Sequence, residues 1–297
     1  MQTITEQTER KIPRYIPFLF YFIGGLLIFF LGGNTFKLFL TNKNLFYEWG
    51  LTLFLLLLAV ATQRVPRLQI YTKIASALFI ASFANALNLS LGNFLGKILH
   101  LTGNDMRFLA IDKLSQALPI IVAIILLTLW SGDDLGSLFL KKGNLRQGLE
   151  FGLISFAIFT VIFIVIVVLQ ANAPTTQGLT ASGVSLSTIV TAIPWILLFC
   201  FANSLMEELW FRGVSLKKLT PVLGMTASII VTALVFGMTH AAATYITSIQ
   251  MLIFPVIVFA LGLVNAYVML KTDSIWGSVL FHAGYDLLVI IPVLVSQ

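Results

Sequence analysis

The sequence predicts an all-α polytopic membrane protein, built as a bundle of about eight to nine transmembrane helices. Of its 297 residues, 58% are hydrophobic and only 10% are charged, and the mean hydropathy is +0.97. A soluble domain carries roughly 25% charged residues, so this composition excludes an ordinary soluble protein. The apolar residues also fall into nine segments, each near the ~20 residues that a helix needs to cross a bilayer.

The nine apolar segments are separated by short polar loops. The third is the weakest, because Lys73, Asn85 and Asn88 interrupt it. The sixth is longer than a bilayer requires, so we expect it to project beyond the membrane. In chain order the predicted spans are Tyr15–Thr35, Leu45–Thr62, Ile70–Leu91, Lys113–Trp130, Gly148–Gln170, Leu186–Leu216, Val222–His240, Thr247–Leu270 and Ser274–Val295.

The distribution of Lys and Arg predicts the orientation. With the N-terminus inside, thirteen basic residues lie at inner ends and loops and five at outer ones. The positive-inside rule therefore predicts a cytoplasmic N-terminus in an integral, multi-pass protein. This topology also explains the net charge of +6, so we expect no nucleic-acid partner. The single cysteine, Cys200, excludes an intrachain disulfide framework.

The basic loop LKKGNLRQG divides the chain loosely into two parts. Residues 1–147 form mostly aliphatic N-terminal spans, and residues 148–297 form a core in which polar residues enter the spans. The motifs described below all lie within residues 186–295.

Two adjacent carboxylates, Glu207 and Glu208, occur where the sixth segment should remain apolar. Ionisable groups in membrane helices are costly, so they are functional-site hypotheses by default. Residues four apart share a helix face, which predicts an ion pair between Glu208 and Arg212. Glu207 points to another face, with Asn203, and is the carboxylate for which we expect a functional role.

Three further polar residues in later spans belong to the same hypothesis. His240 ends the seventh segment, with Phe236 one turn earlier, while His282 and Asp286 lie one turn apart in the last segment. Depth is counted at ~1.5 Å per residue, from a turn near Pro221 for Glu207 and His240 and from Ser274 for the last segment. If that turn protrudes ~8 Å into the cytoplasm, all four groups share a band roughly 8 Å thick. The sequence therefore allows a cavity, open to the inner side, in which they converge.

Such a cavity allows more than one chemistry. A carboxylate and an imidazole on facing helices can activate water, and a second histidine can stabilise an oxyanion. Glu207, His240 and His282 also form a two-His, one-carboxylate set that suits zinc with open positions. Buried Glu, His and Asp can also relay protons in a transporter. Spacing alone does not choose among these alternatives, so the sequence requires no cofactor and leaves zinc open.

At these residues the chain resembles the CPBP family of intramembrane proteases, also called the CAAX-protease and bacteriocin-processing, or Abi, family. The family is marked by EExxxR, then FxxxH, then HxxxN or HxxxD. In this chain the three motifs read Glu207-Glu208-LWF-Arg212, Phe236-GMT-His240 and His282-AGY-Asp286. The resemblance covers roughly residues 186–295, about a third of the chain.

The resemblance implies an endopeptidase that cleaves a membrane-anchored protein or peptide near the cytoplasmic side, in a prokaryotic plasma membrane. It makes Glu207 and His240 the water-activating pair, and it assigns His282 and Asp286 to the tetrahedral intermediate. An ionised Asp286 cannot donate to an oxyanion, so we expect it to orient His282, to stay protonated or to bind a metal. Supporting roles fall to Glu208, Arg212, Phe236 and Asn203.

Two alternatives come with the family. One is a zinc-type metalloprotease that uses the same residues. The other is a non-catalytic membrane protein, of an immunity or scaffold type. The sequence identifies the lipid bilayer as a partner, but it leaves the substrate and the oligomeric state open.

Overall fold

The computed structural model describes residues 13–32, 44–103, 105–171, 186–242 and 248–291. These residues form helices and no strand, which confirms the predicted all-α class. In chain order the α-helices are α1 Tyr15–Gly25, α2 Asn44–Arg64, α3 Thr72–Leu91, α4 Phe94–Ile98, α5 Met106–Trp130, α6 Leu145–Ala171, α7 Leu186–Glu207, α8 Leu216–Leu223, α9 Met225–Thr239, α10 Ser248–Thr272 and α11 Trp276–Val289.

Each predicted span contains a helix. Within the described ranges, six helical stretches are long and apolar enough to cross a membrane, and two shorter apolar helices, Tyr15–Leu31 and Met225–Thr239, accompany them. The last helix, α11, has 14 residues. The number of spans is thus roughly as predicted, and the chain is an integral, multi-pass membrane protein. The predicted ends at Thr35, Thr247 and Val295 lie outside the described residues.

The sixth predicted span is not the continuous helix that we expected. α7 ends at Glu207, a π-helical turn follows over Glu208–Gly213, and α8 begins at Leu216. Pro221 lies inside α8, and the turn that follows is at Gly224, where φ is 81°. The turn thus lies three residues beyond Pro221, close to the predicted position. A π-helical turn widens the helix and redirects the chain, which a count of residues along a straight helix cannot anticipate.

One apolar core joins the early and late helices. It includes Tyr21 and Ile28 from the first span together with Val235 of α9 and Val279 of α11. The Tyr21 hydroxyl also donates a hydrogen bond to Ser215 Oγ, 2.8 Å away and next to the π-helical turn. The N-terminal spans therefore pack directly against the helices that carry the motifs.

Ion pairs gather several loops at one end of the bundle. Lys141 and Lys217 both pair with Asp273, the latter at 2.5 Å, and Lys73 pairs with Asp133 at 2.7 Å. Burial acts to raise the pKa of Asp273, but the hydrogen bonds from the two lysines outweigh it and lower that pKa below its usual value. We call this end of the bundle the basic end.

Glycines bring α6 and α11 into backbone contact. A Cβ atom at Gly277 would lie 2.6 Å from the Gly148 carbonyl oxygen, and one at Gly284 would lie 2.9 Å from Phe156 Cα. Small residues permit such close approach between membrane helices. Because α11 also carries His282, this contact fixes the position of a motif residue.

We predict that Gly277→Ala destabilises the protein by about 1–3 kcal/mol, because the added methyl group meets backbone that must shift. The matched control is Gly50→Ala in α2, where nothing lies within 4 Å of the added Cβ. That change should leave stability unchanged or raise it by up to ~1 kcal/mol, since alanine favours helices. Thermal unfolding in detergent measures both, and equal effects would contradict the proposed contact.

Candidate active site

The site is built around the Glu208 carboxylate, at the start of the π-helical turn. Its Oε1 atom accepts from Arg212 Nη1 at 2.8 Å and from Asn265 Nδ2 at 2.8 Å, and it lies 2.7 Å from His282 Nδ1. The side chains of Glu208 and Arg212 are both fully buried, and the predicted i,i+4 pair is present. An ionised carboxylate only accepts hydrogen bonds, so the proton in the third contact belongs to His282 Nδ1.

The Arg212 guanidinium is held by more than its carboxylate partner. Its Cζ atom lies 4.2 Å from the centre of the Phe236 ring, and Nε donates to the Gly262 carbonyl at 3.4 Å. A Cβ atom at Gly262 would lie 3.1 Å from Arg212 Nη2, so a larger residue there would crowd the guanidinium. The phenylalanine of the second motif therefore forms a cation–π contact with the arginine of the first motif.

The Phe236 ring also packs against both motif histidines. Its centre lies 4.7 Å from that of His240 and 5.8 Å from that of His282, with edge-to-face geometry in each case. This packing holds α9 and α11 at the separation that the two imidazoles need to face the same side chain.

That side chain is Glu207. Its Oε2 atom lies 3.9 Å from His240 Nε2 and 3.6 Å from His282 Nε2. Both distances are too long for direct hydrogen bonds, so Glu207 forms none with either histidine. The Glu207 side chain keeps 13% of its surface exposed, whereas the neighbouring Glu208 keeps none. The two adjacent carboxylates thus occupy different environments, one accessible and one buried.

The tautomer of neutral His240 follows from its hydrogen bond. Its Nδ1 atom lies 2.8 Å from the Phe236 carbonyl oxygen, which can only accept, so Nδ1 carries the proton. The Nε2 lone pair of the neutral ring then points toward Glu207.

Asp286 lies beside His282, as the spacing in the third motif suggested. Its Oδ1 atom is 3.6 Å from His282 Nε2, and its Oδ2 atom accepts a hydrogen bond from Asn203 Nδ2 at 3.0 Å. Asn203, which shares a helix face with Glu207, therefore binds the fourth predicted site residue. All the residues that the sequence singled out lie in one connected cluster.

One member of the cluster, Asn265 of α10, was not among the predicted site residues. It is fully buried and donates to Glu208, and its backbone carbonyl accepts from Ser278 Oγ at 3.0 Å. An asparagine inside the apolar stretch of α10 is costly to bury, and the sequence could have indicated it on that ground.

The structure does not present a ready metal centre. In the part of the chain that is described, no group of three or more His, Cys, Asp or Glu side chains is arranged to hold a metal ion. The set considered for zinc, Glu207, His240 and His282, has the separations given above, and the Nδ1 atoms of both histidines are engaged while their Nε2 atoms face Glu207. The zinc alternative therefore stays a prediction.

The fold and site define a helical membrane protein with a partly accessible glutamate facing two histidines. Residues 189–288, which hold every motif residue, match the family model described as type II CAAX prenyl endopeptidase, Rce1-like. This part of the chain is similar to Rce1-like domains of the CAAX protease family, which agrees with the CPBP resemblance. No curated protein matches the chain, and no solved structure matches it.

We predict that Glu208→Ala destabilises the protein by about 3–5 kcal/mol, because it leaves the Arg212 guanidinium buried without its counter-ion. Glu150→Ala is the matched control, since Glu150 forms an i,i+4 pair with Arg146 at 2.8 Å but both side chains are exposed. Its loss should stay below ~1 kcal/mol. Thermal unfolding of both variants measures the two losses of stability. Similar losses would show that the buried Glu208–Arg212 pair stabilises the protein no more than the exposed pair does.

Proposed function

We propose that this protein is an intramembrane endopeptidase that cleaves a membrane-associated protein or peptide with water activated by Glu207 and His240. The observation that carries the proposal is the division between the two adjacent carboxylates. Glu207 is partly exposed and faces the Nε2 atoms of His240 and His282 at 3.9 and 3.6 Å. Glu208 is buried, and its Oε1 atom has three hydrogen-bond partners. The Rce1-like domain supports hydrolysis of peptide bonds at the level of the family.

In the first step, a water molecule hydrogen-bonded to Glu207 Oε2 and His240 Nε2 attacks the scissile carbonyl carbon. Glu207 is the general base that takes the water proton, since its partly accessible carboxylate faces the Nε2 atom of His240. His240 accepts the second hydrogen bond of the water and orients it, because its Nδ1 proton is committed to the Phe236 carbonyl.

The carbonyl oxygen becomes an oxyanion as the carbon turns tetrahedral. His282 is the donor that we assign to it, through a proton on Nε2, while Nδ1 donates to Glu208. This assignment requires the doubly protonated ring, whose charge the neighbouring carboxylates of Glu208 and Asp286 stabilise. Asp286 thereby acts through His282, which agrees with its inability to donate as a carboxylate.

Collapse of the intermediate breaks the carbon–nitrogen bond. The proton held by Glu207 passes to the leaving amine, so the residue acts first as base and then as acid. The carboxylate is regenerated with the release of a new carboxyl end and a new amino end, and no further reactant is needed.

The proposal includes the orientation of the protein in the membrane. The basic end carries lysines that the positive-inside rule assigns to the cytoplasm, so cleavage occurs toward that side and the N-terminus is cytoplasmic. A substrate reaches a site within the spans from the bilayer, which favours a membrane-anchored protein or peptide. A prokaryotic plasma membrane fits this orientation.

We predict that Glu207→Gln reduces cleavage of a membrane-anchored peptide library by at least 10²-fold, the scale of lost acid–base catalysis. Thermal stability should change little, because Glu207 makes no direct hydrogen bond to either histidine. Glu150→Gln, an exposed glutamate on α6, is the control and should retain full activity. Unchanged cleavage in Glu207→Gln would refute the catalytic assignment. A cellular phenotype that does not depend on Glu207 would favour the non-catalytic alternative.

We also predict that dialysis against a strong chelator leaves the cleavage rate unchanged, since water activation is assigned to Glu207 and His240 alone. The measurement is the initial rate before and after dialysis, with added divalent ions as a second arm. Loss of activity with recovery by one divalent ion would replace the proposal with the zinc alternative, in which Glu207, His240 and His282 are ligands.

A further inference from the structure

A groove of about 350 Å³ lies between α6 and α10, near the basic end of the bundle. Its walls include Phe151 of α6 and Val264, Val268 and Lys271 of α10. Val264 keeps 37% of its surface exposed, and Tyr267, on the same wall, keeps 50%. Because both helices are long and apolar enough to cross a membrane, these exposed side chains face lipid, and the groove opens toward the bilayer.

The groove is separate from the catalytic cluster. Asn265, which follows Val264 in the chain, is fully buried and donates to Glu208. Successive helix residues point ~100° apart, so α10 presents one face to the cluster and another to the groove. An occupant of the groove therefore lies against the outer surface of α10, and it does not enter the space between Glu207 and the histidines.

The polarity of the groove changes along its length. Lys271 lies in the last turn of α10, two residues before Asp273 of the basic end, and Gln147 lies in the first turn of α6. Val264 is seven residues before Lys271, about 10 Å deeper at 1.5 Å per residue. The surface of the groove is almost entirely apolar, and Lys271 and Gln147 border it at the end nearest the membrane interface. A phospholipid has the same order, with a phosphate at the interface and acyl chains below.

Lys271 supplies the charge for such an occupant. Among the described ion pairs, Lys141 and Lys217 share Asp273, and no pair includes Lys271. A lysine at the end of a membrane helix extends its ammonium group toward the interface, where lipid phosphates lie. Anionic headgroups are attracted to cations at this depth, and zwitterionic headgroups are attracted less.

We propose that this groove is a binding site for one anionic phospholipid, with an acyl chain between α6 and α10 and the headgroup phosphate on Lys271. Its volume lies within the range of about 300–1,000 Å³ that is typical of small-molecule sites. The lipid fills the space that the two helices leave between them and braces the outer face of α10 behind Asn265. The proposal does not depend on the hydrolytic activity.

The test measures lipid retention by native mass spectrometry after delipidation and re-addition of phosphatidylglycerol or phosphatidylcholine with identical acyl chains. We expect one phosphatidylglycerol per chain, retained several-fold more than phosphatidylcholine. Lys271→Gln should abolish this preference. Lys142→Gln should keep it, because Lys142 lies at the same end but does not line the groove.

A second pair of variants tests the position of the acyl chain. Val264→Trp fills the groove and should remove retention of both lipids. Val256→Trp, on the same helix at a residue that is 65% exposed and outside the groove, should not change it. A single symmetrical peak in size-exclusion chromatography checks that each variant is folded.

Three results would overturn the proposal. The first is equal retention of the two lipids by the wild type, and the second is unchanged retention in Val264→Trp. The third is retention of a peptide-linked hydrophobic chain that phosphatidylglycerol fails to displace, which would make the groove part of a substrate path. Since the readout is lipid mass, loss of protease activity in any variant does not affect it.

Discussion

The site depends on one buried carboxylate, that of Glu208, and on the three groups that hydrogen-bond to it. An ionised group in an apolar interior is costly unless its charge and its lone pairs are matched. Arg212, Asn265 and His282 bind one of its oxygens, Oε1, at 2.7–2.8 Å, while Oε2 is buried with no hydrogen-bond partner among the described residues. These partners come from the π-helical turn, α10 and α11. The same contacts that stabilise the charge therefore fix three helices relative to one another.

The π-helical turn explains why Glu207 remains accessible while its neighbour is buried. The turn begins at Glu208, and Trp210 within it donates a hydrogen bond to the Ala81 carbonyl of α3 at 2.9 Å. Phe29 packs against Trp210 and Phe211, with ring centres 5.0 and 4.3 Å away. The N-terminal spans thus brace the turn from behind. This gives them a structural role in the site, although none of the motif residues belongs to them.

Phe236 connects the three motifs through one ring. Its ring contacts the Arg212 guanidinium in the π-helical turn, the His240 imidazole just after the end of α9 and the His282 imidazole on α11. Aromatic rings favour cations over their faces and edge-to-face neighbours at their rims. Phe236 therefore helps to set the spacing between the arginine and the two histidines of the cluster.

The sequence by itself determined the helical membrane class, because composition and segment length leave few other folds. It also determined the Glu208–Arg212 pair, which depends only on helix periodicity, and it identified most of the residues that the structure brings together. The tertiary structure decided the rest. It placed a π-helical turn at Glu208–Gly213, and the His282 contact with Glu208 spans 74 positions along the chain. Asn265 joined the cluster for the same reason: contacts between helices depend on their rotation and tilt, which packing determines and local sequence does not encode.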